Sequence, residues 1–467
     1  MAFHSAAFLF FFFPAAFLIY LLLPGLRAKN YLLLLLSLLF YAFGQWQGIP
    51  VLLASALVNY AAGQLLARKG NRKFILIAAL ALNLGALGCF KYLDFFAGMF
   101  GGLLPLPGLL PPMGISFFTF KGISYVVDVY RGGAAAERFS DAFLYFSFFP
   151  QVSSGPITRF PGFAAQLRDR TVTPERAAKG LRRFVVGLGK KLLISAMAAP
   201  VVNTVFSLGS GLDIRTAWLG AAAYTIQIYF DFSGYSDMAI GLGAVFGFDT
   251  PENFDYPYIA DSITDFWRRW HISLSLWFRD YLYIPLGGGR CNKFRKALNK
   301  AVVFLLCGLW HGANWTFLLW GAWHALLSAL ESLHVIDCTR WSRSLPGRAL
   351  CHVYTLAAVC LGFVIFRAAD LAQAGEMFRA LFTGVQLTQA STLALCRISP
   401  AAWAAMAAGC VMSLPVVPML RAKAAGLKAA SQRALQICSY AGTLALYALC
   451  LMAAAGGSFA PFIYAQF

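Results

Sequence analysis

Charge is what this 467-residue chain has least of: 12% of its residues are Asp, Glu, Lys or Arg, against roughly 25% in soluble domains. Cysteines number ten, but none falls in a C-x-x-C pair and most sit inside apolar runs, so they read as packing residues and imply neither a zinc site nor a disulfide framework. The H-E-x-x-H, G-x-S-x-G and Walker patterns are missing, which removes zincin, serine-hydrolase and P-loop chemistry as readings. No internal repeat is visible, which weighs against inverted-repeat transporters. Met1 to His4 carries no Lys or Arg and no small-x-small site closes the apolar run that follows, so the start reads as a retained first membrane helix.

What is present is apolar bulk. Residues of the AVILMFWYC set make up 60% of the chain, Phe alone accounts for 43, and mean hydropathy is +0.67. One soluble core could not hide that much apolar surface. At about 20 residues per crossing, the runs accommodate roughly ten or more membrane helices. The chain is therefore expected to be an all-α, polytopic integral membrane protein, a single domain over 1–467. The net charge of +19 would suggest nucleic acid in a soluble protein. Here the cations cluster between apolar spans, at Arg27/Lys29, Arg68–Lys73, Arg290–Lys300 and Arg421–Arg433. That placement fits cytoplasmic loops facing a lipid bilayer and implies no nucleic acid.

Early crossings are expected at 5–23, 31–46, 49–67 and 74–92, and later ones near 350–366, 398–420 and 435–455. With Arg27/Lys29 and Arg68–Lys73 cytoplasmic, parity places Met1 outside. Pro and Gly crowd 101–114, so the chain turns there. Two central segments differ in kind: the broken string from Phe148 to Phe160, and Asp231–Asp237, which puts two carboxylates in an apolar stretch. Such segments are tolerated at membrane depth only inside protein or beside water, so both are expected to line an interior cavity.

Six histidines are few enough to weigh singly. His4, His334 and His352 lie near span ends and need no special role. His311 is the sharpest candidate, because a membrane-depth imidazole needs a partner or a cavity and suits a general base toward a hydroxyl. On a continuous helix Asn314, at i+3, would share its face, and Gly308 and Gly312 would clear space beside it; a small-residue packing face is the plainer alternative. His324, thirteen residues on, would point about 140° away. Cys307, one turn before His311, reads as packing rather than as a nucleophile. His271 sits in D-F-W-R-R-W-H-I-S-L-S-L-W-F-R-D-Y (Asp265–Tyr281), where helical spacing predicts an interfacial amphipathic helix with Trp267, His271, Leu274 and Phe278 on one face. The uncharged tail after Gly456-Gly457, S-F-A-P-F-I-Y-A-Q-F, is too aromatic to lie free in water and should dock in a groove.

Together these motifs resemble the membrane-bound O-acyltransferases, in the bacterial branch containing alginate O-acetylase and the teichoic-acid D-alanyl transfer protein. The resemblance rests on F-F-P-Q-V-S-S-G-P-I (Phe148–Ile157), D-F-S-G-Y-S-D-M-A-I-G (Asp231–Gly241), F-W-R-R-W-H-I-S-L-S-L-W-F-R-D-Y-L-Y-I-P-L-G-G (Phe266–Gly288), G-L-W-H-G-A-N-W-T-F (Gly308–Phe317) and the terminal P-F-I-Y-A-Q-F. Length and the string G-L-G-K-K-L-L-I at Gly187 are closer to the alginate-acetylase type. It implies a many-helix fold with re-entrant or interfacial segments and a central channel, in the bacterial inner membrane. It implies His311 as principal catalytic residue, His271 as the second polar position and Tyr464 as an acyl acceptor; the chain departs from the tail motif at Ala465, where an aromatic is usual. Asn314, Trp310, Asp231, Ser233, Asp237, Trp267, Arg268 and Arg269 are the candidate substrate-contacting residues. No cofactor or metal is implied. The donor would be acetyl-CoA or another acyl thioester, free or on an acyl carrier protein, with Arg290, Lys293 and Arg295 meeting its phosphates. A periplasmic or extracellular SGNH-type acetyltransferase would finish the transfer to a polysaccharide. D-alanyl transfer to teichoic acid is the alternative within the family, and a transporter the alternative outside it.

Overall fold

The computed structural model describes residues 1–68, 70–99, 108–427, 429–456 and 462–463. The described residues form helices and connecting loops, with one isolated β-bridge between Phe254 and Trp270. The chain divides into two compact units, Met1–Phe184 with Ser236–Glu252, and Val185–Tyr235 with Asn253–Phe467.

In the first unit α1 (Ala7–Leu22), α2 (Gly25–Gln45), α3 (Ile49–Ala67) and α4 (Arg72–Met99) match the four early apolar runs. They are followed by α5 (Ile115–Tyr130), α6 (Phe139–Ser147) and α7 (Phe160–Arg168). The phenylalanine excess has a purpose here. Phe8 stacks toward Phe184 at 6.2 Å, Phe40 meets Phe149 at 5.6 Å, and Phe149 meets Phe246 edge-on at 5.8 Å. Lipid is as apolar as these rings, so specificity between helices comes from polar pairs. Asn59 on α3 and Asn83 on α4 exchange side-chain hydrogen bonds of 3.1 and 2.9 Å.

The broken string 148–159 is irregular and almost wholly buried. Its internal partners explain how that is tolerated: Phe149 N–H donates to Ser37 Oγ, and Gln151 Oε1 accepts from Thr158 Oγ1 and from Lys121 Nζ. Lys121, 2% exposed, also donates to the Tyr145 carbonyl. Gly114 sits at φ +74°, and a Cβ there would lie 2.0 Å from the Val152 carbonyl oxygen. The motif is thus a buried turn pinned by backbone contact, in keeping with non-helical backbone at membrane depth being confined to protein surroundings.

Two helices pass from one unit to the other: α8 (Pro174–Phe206) and α9 (Ile214–Val245). Asp231–Asp237 lies in the middle of α9 without a break in the helix. The second unit continues through α10 (Ile263–Arg269), α11 (Ile272–Phe278), α12 (Lys293–His311), α13 (Trp315–Ser332), α14 (Leu345–Arg367), α15 (Leu371–Thr383), α16 (Gln389–Cys396), α17 (Pro400–Met412) and α18 (Ala429–Ala455). α12 and α13 form a tight hairpin. A Cβ on Gly308 would stand 2.3 Å from the Phe317 carbonyl oxygen, and one on Gly321 would stand 2.6 Å from that of Phe304. Of the small residues expected on one face beside His311, Gly308 serves this crossing together with Gly321, whereas Gly312 lies beyond the end of the helix. Among the described residues five helical stretches are long and apolar enough to cross a membrane, or six if α16 and α17, bent by 85°, make one broken span. The other apolar helices are shorter or carry charge, as α5 does with Lys121 and Asp128.

Candidate active site

The site assembles in the second unit at two helix breaks. α12 ends at His311, because Gly312 takes an extended conformation (φ −176°) and Asn314 begins α13 as its N-cap. The imidazole is 4% exposed and sits in an aromatic cage: Trp320 and Phe366 each lie 5.1 Å away edge-on, and Trp310 lies 5.0 Å away.

His271 occupies the second break. α10 ends at Arg269 and α11 begins at Ile272, so the continuous helix expected over Asp265–Tyr281 is interrupted at Trp270–His271. The shared face expected for Trp267 and His271 does not form. His271 takes the left-handed conformation (φ +45°) and is 1% exposed. Its Nδ1 lies 3.0 Å from Asn253 Oδ1, its ring meets Phe232 edge-on at 4.6 Å, and the Trp310 ring lies 6.2 Å away. Trp310 therefore stands against both imidazoles. The structure brings together two motifs separated by forty residues, and one indole is their common wall.

Asn314 does not share a face with His311. The helix between them has ended, and its side chain accepts from Thr316 N–H and donates to the Ala369 carbonyl. The geometric argument against His324 also fails, since α13 folds back on α12 and Trp320 lies 5.0 Å from His324 as well. The role stays structural for another reason: His324 Nδ1 accepts from Trp267 Nε1 at 3.3 Å. That same bond commits Trp267. Arg269 pairs with Asp265 (2.8 Å) and Asp255 (3.3 Å), while Arg268 is exposed.

The carboxylates of α9 separate. Asp237 belongs to the first unit, where it pairs with Arg183 at 2.9 Å, and Arg183 also pairs with Glu252. Asp231, fully buried in the second unit, pairs with the equally buried Lys191, accepts from Ser195 Oγ at 3.2 Å and accepts the Ile463 N–H at 2.8 Å. Ser233 is buried beside it in sequence. Phe462 stacks on Tyr235 at 4.6 Å, lies 6.0 Å from Phe232, and is 8% exposed. Phe462 and Ile463 thus dock against the second unit. Asp231 and Asp237 are held in protein contacts instead of facing an open cavity. Tyr464, the tail residue of chemical interest, lies outside the described residues, as do Lys69 and residues 101–107.

A separate opening in this unit has a volume of about 180 Å³ and is walled by Trp267, Leu274, Phe278, Phe304 and Cys307, with Arg279 and Lys300 at its polar positions. In the sequence Lys300 only closes the basic cluster from Arg290 and Arg279 only lies near His271; the packing of α10, α11 and α12 makes the two neighbours of one opening.

Asp231 supports an expected outcome of its own. Asp231→Ala should lower the melting temperature by many degrees, because leaving one buried charge without its partner costs about 3–5 kcal/mol. Joining Lys191→Met to Asp231→Leu should recover much of that loss, since removing both charges ends the penalty. Thermal unfolding in detergent checks this; single variants as stable as wild type would refute the reading.

Two buried imidazoles against a common indole, in a helical membrane protein, form a site whose groups suit proton transfer at membrane depth. The profile of the membrane-bound O-acyltransferase family matches residues 138–366, which include both histidine motifs and the α9 motif. The chain is 43% identical over 396 residues, 82% of its length, to the probable alginate O-acetylase of Azotobacter vinelandii, covering 78% of that protein. It is 34% identical to the peptidoglycan O-acetyltransferase of Helicobacter pylori, over 84% of this chain and 82% of that one. The teichoic acid D-alanyltransferase of Bacillus subtilis is 31% identical over 69% of this chain and 83% of its own. The chain belongs to the membrane-bound O-acyltransferase family. It is a multi-pass membrane enzyme that transfers acyl groups to hydroxyls, and the transporter alternative finds no support among these relatives.

Proposed function

We propose that the protein moves an acetyl group from a cytoplasmic thioester, acetyl-CoA in the first instance, across the bacterial inner membrane for O-acetylation of an envelope or secreted polysaccharide. The observation that carries this reading is the 43% identity over 82% of the chain to a protein named as a probable alginate O-acetylase, set against 31% to a D-alanyltransferase. His311 is the general base, Trp310 the wall shared with His271, and Tyr464 the acyl carrier that hands the group to a secreted SGNH-type transferase. The thioester arm enters the apolar opening beside Cys307, one helical turn (about 5.4 Å) before His311. Arg279 and Lys300, with Arg290, Lys293 and Arg295 nearby in sequence, meet the donor's phosphates. Dry walls of this kind strengthen each polar contact within them.

Proteoliposomes holding the full chain test the reading, with labelled acetyl-CoA on the cytoplasmic side and the partner transferase with polysaccharide on the other. Alkali-labile label in the polysaccharide is the expected result. Label arriving only when a D-alanyl carrier protein replaces acetyl-CoA would hand the function to the alternative.

The route also needs the tail on the envelope side, which follows from Arg421–Arg433 lying inside. Ser458→Cys should react with a membrane-impermeant maleimide from outside intact cells, above the background of the native cysteines. Reaction from the cytoplasmic side alone would overturn both the topology and the relay.

A further inference from the structure

The surroundings of His271 decide which of its nitrogens carries the proton. Asn253 is fully buried, and one atom of its side-chain amide lies 3.0 Å from His271 Nδ1, 3.3 Å from Ser273 N and 2.9 Å from Ser273 Oγ. A backbone N–H only donates, so the amide atom that faces Ser273 N is the oxygen, whatever orientation was first assigned to it. An amide oxygen only accepts. His271 Nδ1 must therefore bring the hydrogen, and in the neutral ring the lone pair resides on Nε2. That Nε2 is buried and has no hydrogen-bond partner among the described residues.

The backbone points the same way. A β-carbon-bearing residue in the left-handed region costs roughly 1–2 kcal/mol and persists only where its surroundings over-determine it. Here the Asn253 carbonyl accepts Ile272 N–H at 3.0 Å, Asp255 N–H donates to the Arg269 carbonyl at 3.0 Å, and Phe254 bridges Trp270. Asn253 thus holds the turn twice, through the ring of His271 and through the backbone N–H of the next residue, Ile272. A histidine that only filled space would need neither the strained turn nor a chosen tautomer. His324 shows the contrast: its Nδ1 accepts a hydrogen bond from Trp267, which places any ring hydrogen of the neutral form on Nε2.

We propose that Asn253 is a positioning residue that locks His271 in the Nδ1–H form, so that Nε2 accepts a hydrogen bond from the hydroxyl that will receive the acyl group. No proton leaves in this contact; it orients the O–H, and His311 remains the base. The inference rests on the acyl-transfer reading above.

Magic-angle-spinning NMR of the full chain in bilayers, with ¹⁵N-labelled histidine, tests the lock directly; the His271 signals are identified by their loss in His271→Gln. The expected spectrum has a protonated Nδ1 and a bare Nε2. A protonated Nε2 in the neutral ring overturns the proposal, even if His271 proves essential. Asn253→Ala should mix the tautomers and lower kcat on the order of tenfold to a hundredfold, as misplacement of a reacting group does, with KM for the donor little changed. Asn253→Asp, which can accept the same three bonds, should keep the Nδ1–H form, a result that does not depend on the alanine variant folding. An unchanged spectrum in a folded Asn253→Ala overturns the positioning role. Full activity of His271→Gln would instead remove the role of His271 in transfer, a failure separate from that of the lock.

Discussion

His311→Ala is expected to abolish acyl transfer while leaving insertion in the membrane intact. Loss of a general base ordinarily costs 10²–10⁴-fold, so less than about a hundredth of wild-type turnover should remain. His311 ends α12, where the helix stops against the extended Gly312, and its ring is enclosed by Trp310, Trp320 and Phe366. An imidazole is the side chain whose ordinary titration range lets it both accept and return a proton near neutrality. Water is scarce in such a cage, so no solvent base stands ready to replace it. His311→Gln fills most of the same space and separates chemistry from packing: it should be as inactive as the alanine variant and more stable. Acetylated polymer per folded protein is the measurement. Turnover above a hundredth of wild type in both variants would move the base elsewhere.

Tyr464→Phe carries the second large effect, loss of transfer to the external acceptor at unchanged protein level. In the proposed route the donor is cytoplasmic and the polymer external, so a group on the protein must carry the acyl between them or the channel must admit both. Docking of the preceding residues lends the tail its geometry: Phe462 packs on Tyr235, and Ile463 N–H is held by the buried Asp231. A phenol near pKa 10 is a poor nucleophile at neutral pH without a base. Once acylated, it is a better donor than an alkyl ester, because phenolate leaves more readily than alkoxide. In the proposed relay, acylation would form the O–C(acyl) bond to Tyr464 Oη as the thioester C–S bond breaks, and the phenolic proton would go to the base and on to the thiolate. The phenylalanine variant keeps the ring and deletes only the hydroxyl, and packing alone would leave it at the wild-type rate. Mass spectrometry of the wild-type tail, trapped without the acceptor, should show one added acyl group on Tyr464. Wild-type transfer by the variant would make the transfer direct.

The tail illustrates how far composition reaches. Ten uncharged, largely apolar residues after a Gly-Gly pair predict docking in a groove, and of them Phe462 is buried. What receives it was not legible. Lys191 and Asp231 stand forty residues apart on α8 and α9, and neither string says that they will pair or that the carboxylate will also take a backbone N–H from the last residues of the chain. Asp237, only six residues on, looked equivalent in sequence and serves a different pair with Arg183.

By itself the sequence determined the helical membrane class, the early apolar runs now seen as the helices α1 to α4, and the two histidines that the structure places against one indole. Those features are written in local quantities: hydropathy summed over some twenty residues, and rare polar groups in apolar surroundings that need a reason. Tertiary structure alone decided how the pieces meet. Reasoning from an unbroken helix put Asn314 beside His311, sent His324 away and laid Trp267 and His271 on one face. Each inference failed at a break, Gly312–Ala313 or Trp270–His271, because helix continuity depends on what the neighbouring chain offers the backbone at that point. Gly312 has the Phe317 ring against it, and His271 accepts a left-handed turn because Asn253, eighteen residues earlier, bonds both its ring and the next amide. Those are contacts between segments, and no periodicity within one segment encodes them.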